Sequence, residues 1–179
     1  MVEPAFGPFL FDTSAESWLA RSPHPAIQEW MRRYLSLHRI NVSSVTVLER
    51  IRGYALLWRG AGEQRRPAID AARVEYLGSM GRIWPLDATT AVAAAEIMAL
   101  LPNPPTPPRR AHQFVESRLE RLARWRFDCI IAATALVAQM HLIHNNPGDF
   151  EAIRRAIEMS PERFPKLESL QLIRCTALV

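Results

Sequence analysis

Lysine is almost missing from this chain: Lys166 stands alone among 22 basic residues, and the rest are arginines. Cysteine occurs twice, at Cys129 and Cys175, too far apart for metal-ligand spacing. That excludes a disulfide framework or a zinc cluster and points to a cytosolic, cytoplasmic protein with free thiols. No apolar run is long enough to cross a membrane. The longest, Cys129 to Met140, falls short of the roughly 20 residues a span requires, so no membrane association is expected. The opening MVEPAFGPFLFD has no basic residue and runs directly into acid, which is not a secretory signal. The seven glycines are scattered and form neither a phosphate-cradling loop nor a nucleophile elbow. A kinase or serine-hydrolase reading therefore has no residue to carry it. The histidines (His24, His38, His112, His141, His144) show no ligand spacing either.

What is present is an ordinary globular composition, 49% apolar and 22% charged over 179 residues. That length can bury a core without metals or disulfides, and we read residues 1–179 as one domain. The formal net charge is +4. Arginine pairs bidentately with phosphate and stacks on bases, so the excess suits a nucleic-acid partner. A GC-rich genome favouring arginine codons accounts for it equally well.

Periodicity predicts strands alternating with helices. Pro8 to Phe11 is a short apolar strand ending in acid. Helices are expected over Thr13 to Arg21 and Pro25 to Leu37, a strand over Ile40 to Val42, and a helix capped by Ser43 or Ser44 up to the Gly60/Gly62 break. Pro67 to Leu77 reads as helix and Ile83 to Leu86 as strand, and Asp87 caps a helix over Thr89 to Leu101. The stretch PNPPTPP, Pro102 to Pro108, must be a stiff extended connector. An amphipathic helix over Ala111 to Arg126 and a buried one over Asp128 to Met140 follow. The C-terminal part reads as a strand at His141 to His144, a helix at Phe150 to Met159 and a strand at Leu170 to Ile173. This alternation implies an α/β fold, a mostly parallel central sheet flanked by helices in three layers, with ligands at the carboxyl ends of the strands.

Four acids stand in unusual company. Asp12 ends an apolar run, Asp128 opens the most hydrophobic helix, Asp149 lies in the polar turn NNPGDF, and Glu49 falls early in a helix. Each has a plain explanation: Asp12 and Asp128 as helix caps, Glu49 as an exposed carboxylate, Asp149 as an Asx turn or cap. Together, converging from several element ends, they are the oxygen donors a hard cation such as Mg²⁺ needs.

The segments FLFDTS, SSVTVLERIRG and FDCIIAATALVAQMHLIHNNPGDF resemble PIN-domain ribonucleases, in particular VapC-type toxins of toxin-antitoxin pairs. Asp12 matches the first acid of a DTN-like motif. Ser43 or Ser44, Thr46, Glu49 and Gly53 match the second motif. Asp128 precedes IAATA, and Asn146, Asp149 and Phe150 match the fourth motif. The resemblance spans about residues 8 to 175. Three departures stand out: Ser14 in place of the usual Asn, His144 where Thr is common, and a Pro-rich and helical insertion at about 102–126.

The resemblance implies a metal-dependent endoribonuclease. Asp12, Glu49, Asp128 and Asp149 would bind Mg²⁺ or Mn²⁺, Thr13, Ser14 and Asn146 would hold or orient them, and Arg52, Arg124 and Arg126 would contact RNA phosphates. It also implies a homodimer and a cognate antitoxin. A non-toxin PIN nuclease of RNA maturation or decay, or a degenerate module that binds RNA or a partner without cutting, are the alternatives. Surplus large apolar residues on the second and third helices (Trp30, Tyr34, Tyr54, Leu57, Trp58) fit a partner surface, or else belong to the core.

Overall fold

The computed structural model describes residues 2–108, 110–111, 114–165, 167 and 169–178. Its elements in chain order are β1 (Leu10–Phe11), α1 (Thr13–Arg21), α2 (Pro25–Leu37), β2 (Ile40–Ser43), α3 (Ser44–Gly60), α4 (Arg66–Ser79), β3 (Met80–Trp84), α5 (Ala88–Leu100), β4 (Arg110–Ala111), β5 (Phe114–Val115), α6 (Arg118–Ala138), β6 (Leu142–His144), α7 (Pro147–Glu158) and β7 (Leu172–Arg174). Five of the strands form one sheet in the order β3-β2-β1-β6-β7. Every pairing within it is parallel. From β1 the chain winds one way through β2 to β3, and it returns to the other side of β1 to lay down β6 and β7. The order therefore reverses between β1 and β6, and in open α/β sheets that switch point opens the ligand crevice.

Alternation along the strands sorts the core to two faces. Leu10 and Leu142 pack with α5, α6 and α7 through Ala93, Ile97, Trp125, Ile131 and Phe150. Phe9, Phe11, Val42 and Ile143 pack on the opposite side with α1, α2 and α4 through Leu19, Ile27, Trp30, Tyr34 and Tyr76. The result is the expected three-layer arrangement. Burial of each large apolar side chain contributes about 1.5–3 kcal/mol, which is why strands of two to five residues suffice once both faces are covered.

Local signals account for most helix starts. Asp87 accepts the Thr90 N–H at the head of α5, Ser43 accepts the Val45 N–H at the head of α3, and proline occupies the first turn of α2, α4 and α7.

Two expectations need correction. Residues after the Pro-rich connector do not start a helix at Ala111: the backbone of β4 and β5 pairs antiparallel, Arg110 opposite Val115 and Ala111 opposite Phe114. Helix α6 then runs unbroken through Arg118–Ala138. Ser117 and Glu120 close a reciprocal capping box at its head, and no glycine or proline interrupts it. The change from charged to apolar composition near residue 127 marks a change of burial along one helix. The third strand also begins earlier than its apolar residues indicate, at Met80, and ends at Trp84.

His144, where β6 ends, is fully buried against Phe150 (ring centroids 5.2 Å apart), and neither ring nitrogen has a hydrogen-bond partner among the described residues. Burial, reinforced by Arg174, pushes the imidazole down to about 4. The unfolded chain takes up that proton near pH 6.5. Between those values the unfolded state holds more protons, so stability is full above pH 6.5 and falls as pH drops toward 4. The expected slope from this residue approaches about 1.4 kcal/mol per pH unit. Urea midpoints measured from pH 4.5 to 7 should show a shallower dependence in His144→Leu than in the wild type. Parallel curves would mean that His144 is not the source.

Candidate active site

The switch point places the end of β1 beside the end of β6, and the backbone N–H of Asp12 still donates to Ile143 O beyond the last paired residues. The head of α1 thus lies next to the Asn145–Asn146 turn. Asp12 does cap α1: Oδ1 accepts the Ala15 N–H and Oδ2 the Ser14 hydroxyl at 2.8 Å. Capping alone does not account for it, as Asp87 makes clear. Asp87, also a cap, is exposed, and its hydrogen bonds hold it below the usual carboxylate range. Asp12 is buried, and desolvation, helped by Glu49, drives it up to about 6 against the Ala15, Ser14 and Asn145 donors.

Asp128 lies in the middle of α6, ten residues past Arg118, so the cap reading fails for it. It is buried, and desolvation raises it well above the normal range, with Asp149, Asp12 and Glu49 adding to the shift and Arg124 opposing it. Glu49, half-buried on α3, accepts the Thr13 hydroxyl at 2.5 Å.

Asp149 differs from the other three. It sits in the first turn of α7 with no exposure. Its Oδ1 accepts Arg121 Nη2 at 2.7 Å and the Thr106 hydroxyl at 2.8 Å, and its Oδ2 accepts Asn146 Nδ2 at 2.7 Å. Asn146 Nδ2 also reaches Asp128 Oδ2 at 3.2 Å, linking the two acids.

These groups surround a cleft of about 240 Å³ lined by Asp12, Thr13, Ser14, Glu49, Asp128 and Asn146, with Ser17 and Arg124 at its margin. Asp149 stands behind Asn146 and does not line it. Arg124 is clamped by Glu116 at 2.8 and 2.9 Å and approaches Asp149 at 3.6 Å. Arg52 and Arg126 are exposed and outside the lining. An adjoining hollow of about 530 Å³ shares Thr13 and Glu49 and is bordered by Arg21 and Arg50.

The side-chain oxygens lining the cleft are hard donors, carboxylate, hydroxyl or amide, which suit Mg²⁺ or Mn²⁺ rather than a softer metal. Among the described residues no three His, Cys, Asp or Glu side chains gather closely around one point. The cation that fits such an arrangement keeps several of its own waters and takes few direct protein ligands, as Mg²⁺ does. Burial is the main cause that raises Asp12 and Asp128, and neighbouring carboxylates add to it; a cation between the two acids would offset that added repulsion.

Ser17, Arg121 and Thr106 were not singled out from the sequence. Ser17 lies one helical turn beyond Thr13, and Arg121 and Arg124 precede Asp128 by seven and four residues on the same helical face. That signal becomes readable only once α6 is known to be continuous.

Among the described residues no helix is long and apolar enough to cross a membrane. No curated protein sequence matches the chain. Solved structures share its fold at low identity. FitAcB from Neisseria gonorrhoeae is 21% identical with a TM-score of 0.59, covering 94% of this chain and 99% of that one. VapBC-1 from nontypeable Haemophilus influenzae is 18% identical with a TM-score of 0.56, covering 94% and 98%. VapBC2 from Rickettsia felis, bound to a DNA fragment from their promoter, is 13% identical with a TM-score of 0.57, covering 93% and 97%. The PIN domain model matches residues 9–156, most of the chain. With its acids gathered at the switch point of a parallel sheet, this chain belongs to the PIN domain family.

Proposed function

We propose that the protein is a divalent-metal-dependent endoribonuclease that hydrolyses RNA phosphodiester bonds and acts as the toxin of a type II toxin-antitoxin pair. The observation that carries this reading is the cleft in which the buried Asp12 and Asp128 and the half-buried Glu49 are gathered at the switch point of the sheet. Asp12, Asp128 and Glu49 would hold Mg²⁺ or Mn²⁺. When bound, such an ion supplies a water of lowered pKa and neutralises charge developing on the phosphate.

The remaining work falls to the chain's own side chains. The Ser14 hydroxyl fixes Asp12, the Thr13 hydroxyl fixes Glu49, and Asn146 aligns Asp128 with Asp149. Arg124 at the cleft margin meets the scissile phosphate, and Arg21 and Arg50 along the adjoining hollow meet neighbouring phosphates. The exposed Arg52 and Arg126 contribute to the general positive field.

The toxin reading draws on the motif resemblance and on the likeness in fold to the VapBC and FitAcB structures. A further feature favours protein partners. Trp30 and Tyr34 of α2 belong to the core, which removes them from a partner surface. On α3, by contrast, Leu48, Leu56, Leu57 and Trp58 remain exposed, apolar side chains available to a second copy in a homodimer and to an antitoxin segment.

One preparation tests the whole reading. Purified protein is expected to be dimeric by light scattering and to cleave single-stranded RNA with Mg²⁺ or Mn²⁺. Cleavage should stop in EDTA and in Asp12→Ala. Full cleavage in EDTA would overturn the metal dependence, and full activity of Asp12→Ala would remove that acid from the reaction.

A further inference from the structure

We infer that this site takes one divalent cation, at its Asp12–Asp128 end, and that Arg121 permanently supplies the positive charge at its Asp149 end. The inference rests on the metal-dependent reading above and gives the fourth acid a role that reading leaves open. Arg121 is 1% exposed and Asp149 is fully buried, so their 2.7 Å contact is sealed from solvent. The Pro-rich connector closes over the pair. Thr106 donates its hydroxyl to the same Asp149 oxygen, and its own Oγ1 and carbonyl accept Arg121 Nη2 at 2.7 Å and Nε at 3.1 Å. Gly148 makes the close approach possible, because a Cβ there would come within 2.6 Å of the Thr106 methyl carbon.

The second Asp149 oxygen is occupied by Asn146, with Arg124 3.6 Å away. A cation reaching Asp149 would have to displace a buried guanidinium and lift the connector. Among the described residues, Asp12 and Asp128 have no such cationic partner at hydrogen-bond distance. Arg121 is therefore a positioning residue. It holds Asp149, Asp149 holds Asn146, and Asn146 sets the Asp128 oxygen that faces the cleft.

The test is a count of bound Mn²⁺ by calorimetry and by electron paramagnetic resonance, with folding checked by circular dichroism. The wild type is expected to bind one Mn²⁺ per chain and to give the spectrum of an isolated ion. Asp149→Asn should keep the stoichiometry at one ion and lower its affinity only through the Asn146 contact, whereas Asp128→Asn should weaken binding further, by at least about tenfold. Arg121→Met, where folded, should admit a second Mn²⁺ against the freed Asp149.

Two coupled ions in the wild type would overturn the inference, as would loss of the ion in a folded Asp149→Asn chain. A folded Arg121→Met chain with a single ion would overturn the assignment of Arg121. Should both variants fail to fold, the wild-type count and spectrum still decide. A wild-type chain that binds no Mn²⁺ and cleaves RNA in EDTA overturns the metal reading itself, an outcome distinct from binding two.

Discussion

Asp128→Asn is expected to abolish RNA cleavage while raising the melting temperature of the metal-free protein. On the metal-dependent reading proposed above, Asp128 would hold the ion, and removing its carboxylate forfeits several kcal/mol of transition-state stabilisation, a loss of about 10²–10³-fold or more in rate. The same change relieves the fold. Asp128 is buried beside Asp149 and Asp12, and its carboxyl lies well above the normal range. A group raised in this way adds stability that is full below its unfolded pKa and is lost as pH rises through the folded value.

An amide has no charge to lose, so the advantage of Asp128→Asn should widen from pH 5 to pH 8. At the upper end we expect about 1–2 kcal/mol, or several degrees for a chain of this size. Mn²⁺ should narrow the gap by stabilising the wild type alone. Thermal melts at both pH values, with and without Mn²⁺, measure all of this. Identical melting curves at pH 5 and pH 8 would remove the buried repulsion from the account.

Arg121→Met should produce the largest loss of stability of any single change at the site. It leaves the fully buried Asp149 carboxylate with only the more distant Arg124, 3.6 Å away, and breaking a buried pair from one side costs about 3–5 kcal/mol. At roughly 2–4 °C per kcal/mol for a chain of this length, the melting temperature should fall by about 10 °C. Converting both partners, Arg121→Met with Asp149→Leu, should recover most of that loss, since a packed apolar pair often matches a buried ion pair. The double-mutant cycle isolates the coupling. Additive losses would show that Arg121 matters through its packing over Trp125, where its guanidinium lies 5.9 Å from the ring centroid, rather than through Asp149.

Several features were readable residue by residue because they depend on near neighbours. Asp87, Ser43 and the first-turn prolines announce helix starts through contacts two or three residues away. The alternation of strand and helix marked a parallel α/β fold, and the motif spacing pointed to the PIN family. Where two local signals competed, the reading went astray. The composition change at Asp128 suggested a helix start, while the Ser117–Glu120 capping box already marked the true one. The difference matters for function, because an aspartate at a helix head needs no further explanation and one buried in mid-helix does.

The sequence by itself determined the donor chemistry, the helix boundaries set by caps and prolines, and the class of fold. All of these follow from side-chain type and from hydrogen bonds within one turn of the chain. Only the tertiary structure decided how the four acids divide. Asp12, Glu49 and Asp128 face a shared cleft because β1 and β6, about 130 residues apart, pair at the switch point of the sheet. Asp149 is withdrawn from that cleft by Arg121, 28 residues away, and by Thr106 on a connector with no regular structure. Burial and pairing depend on which segments meet in space, so residues of identical type came to have different partners, Asp149 a buried arginine and Asp12 and Asp128 a shared cleft.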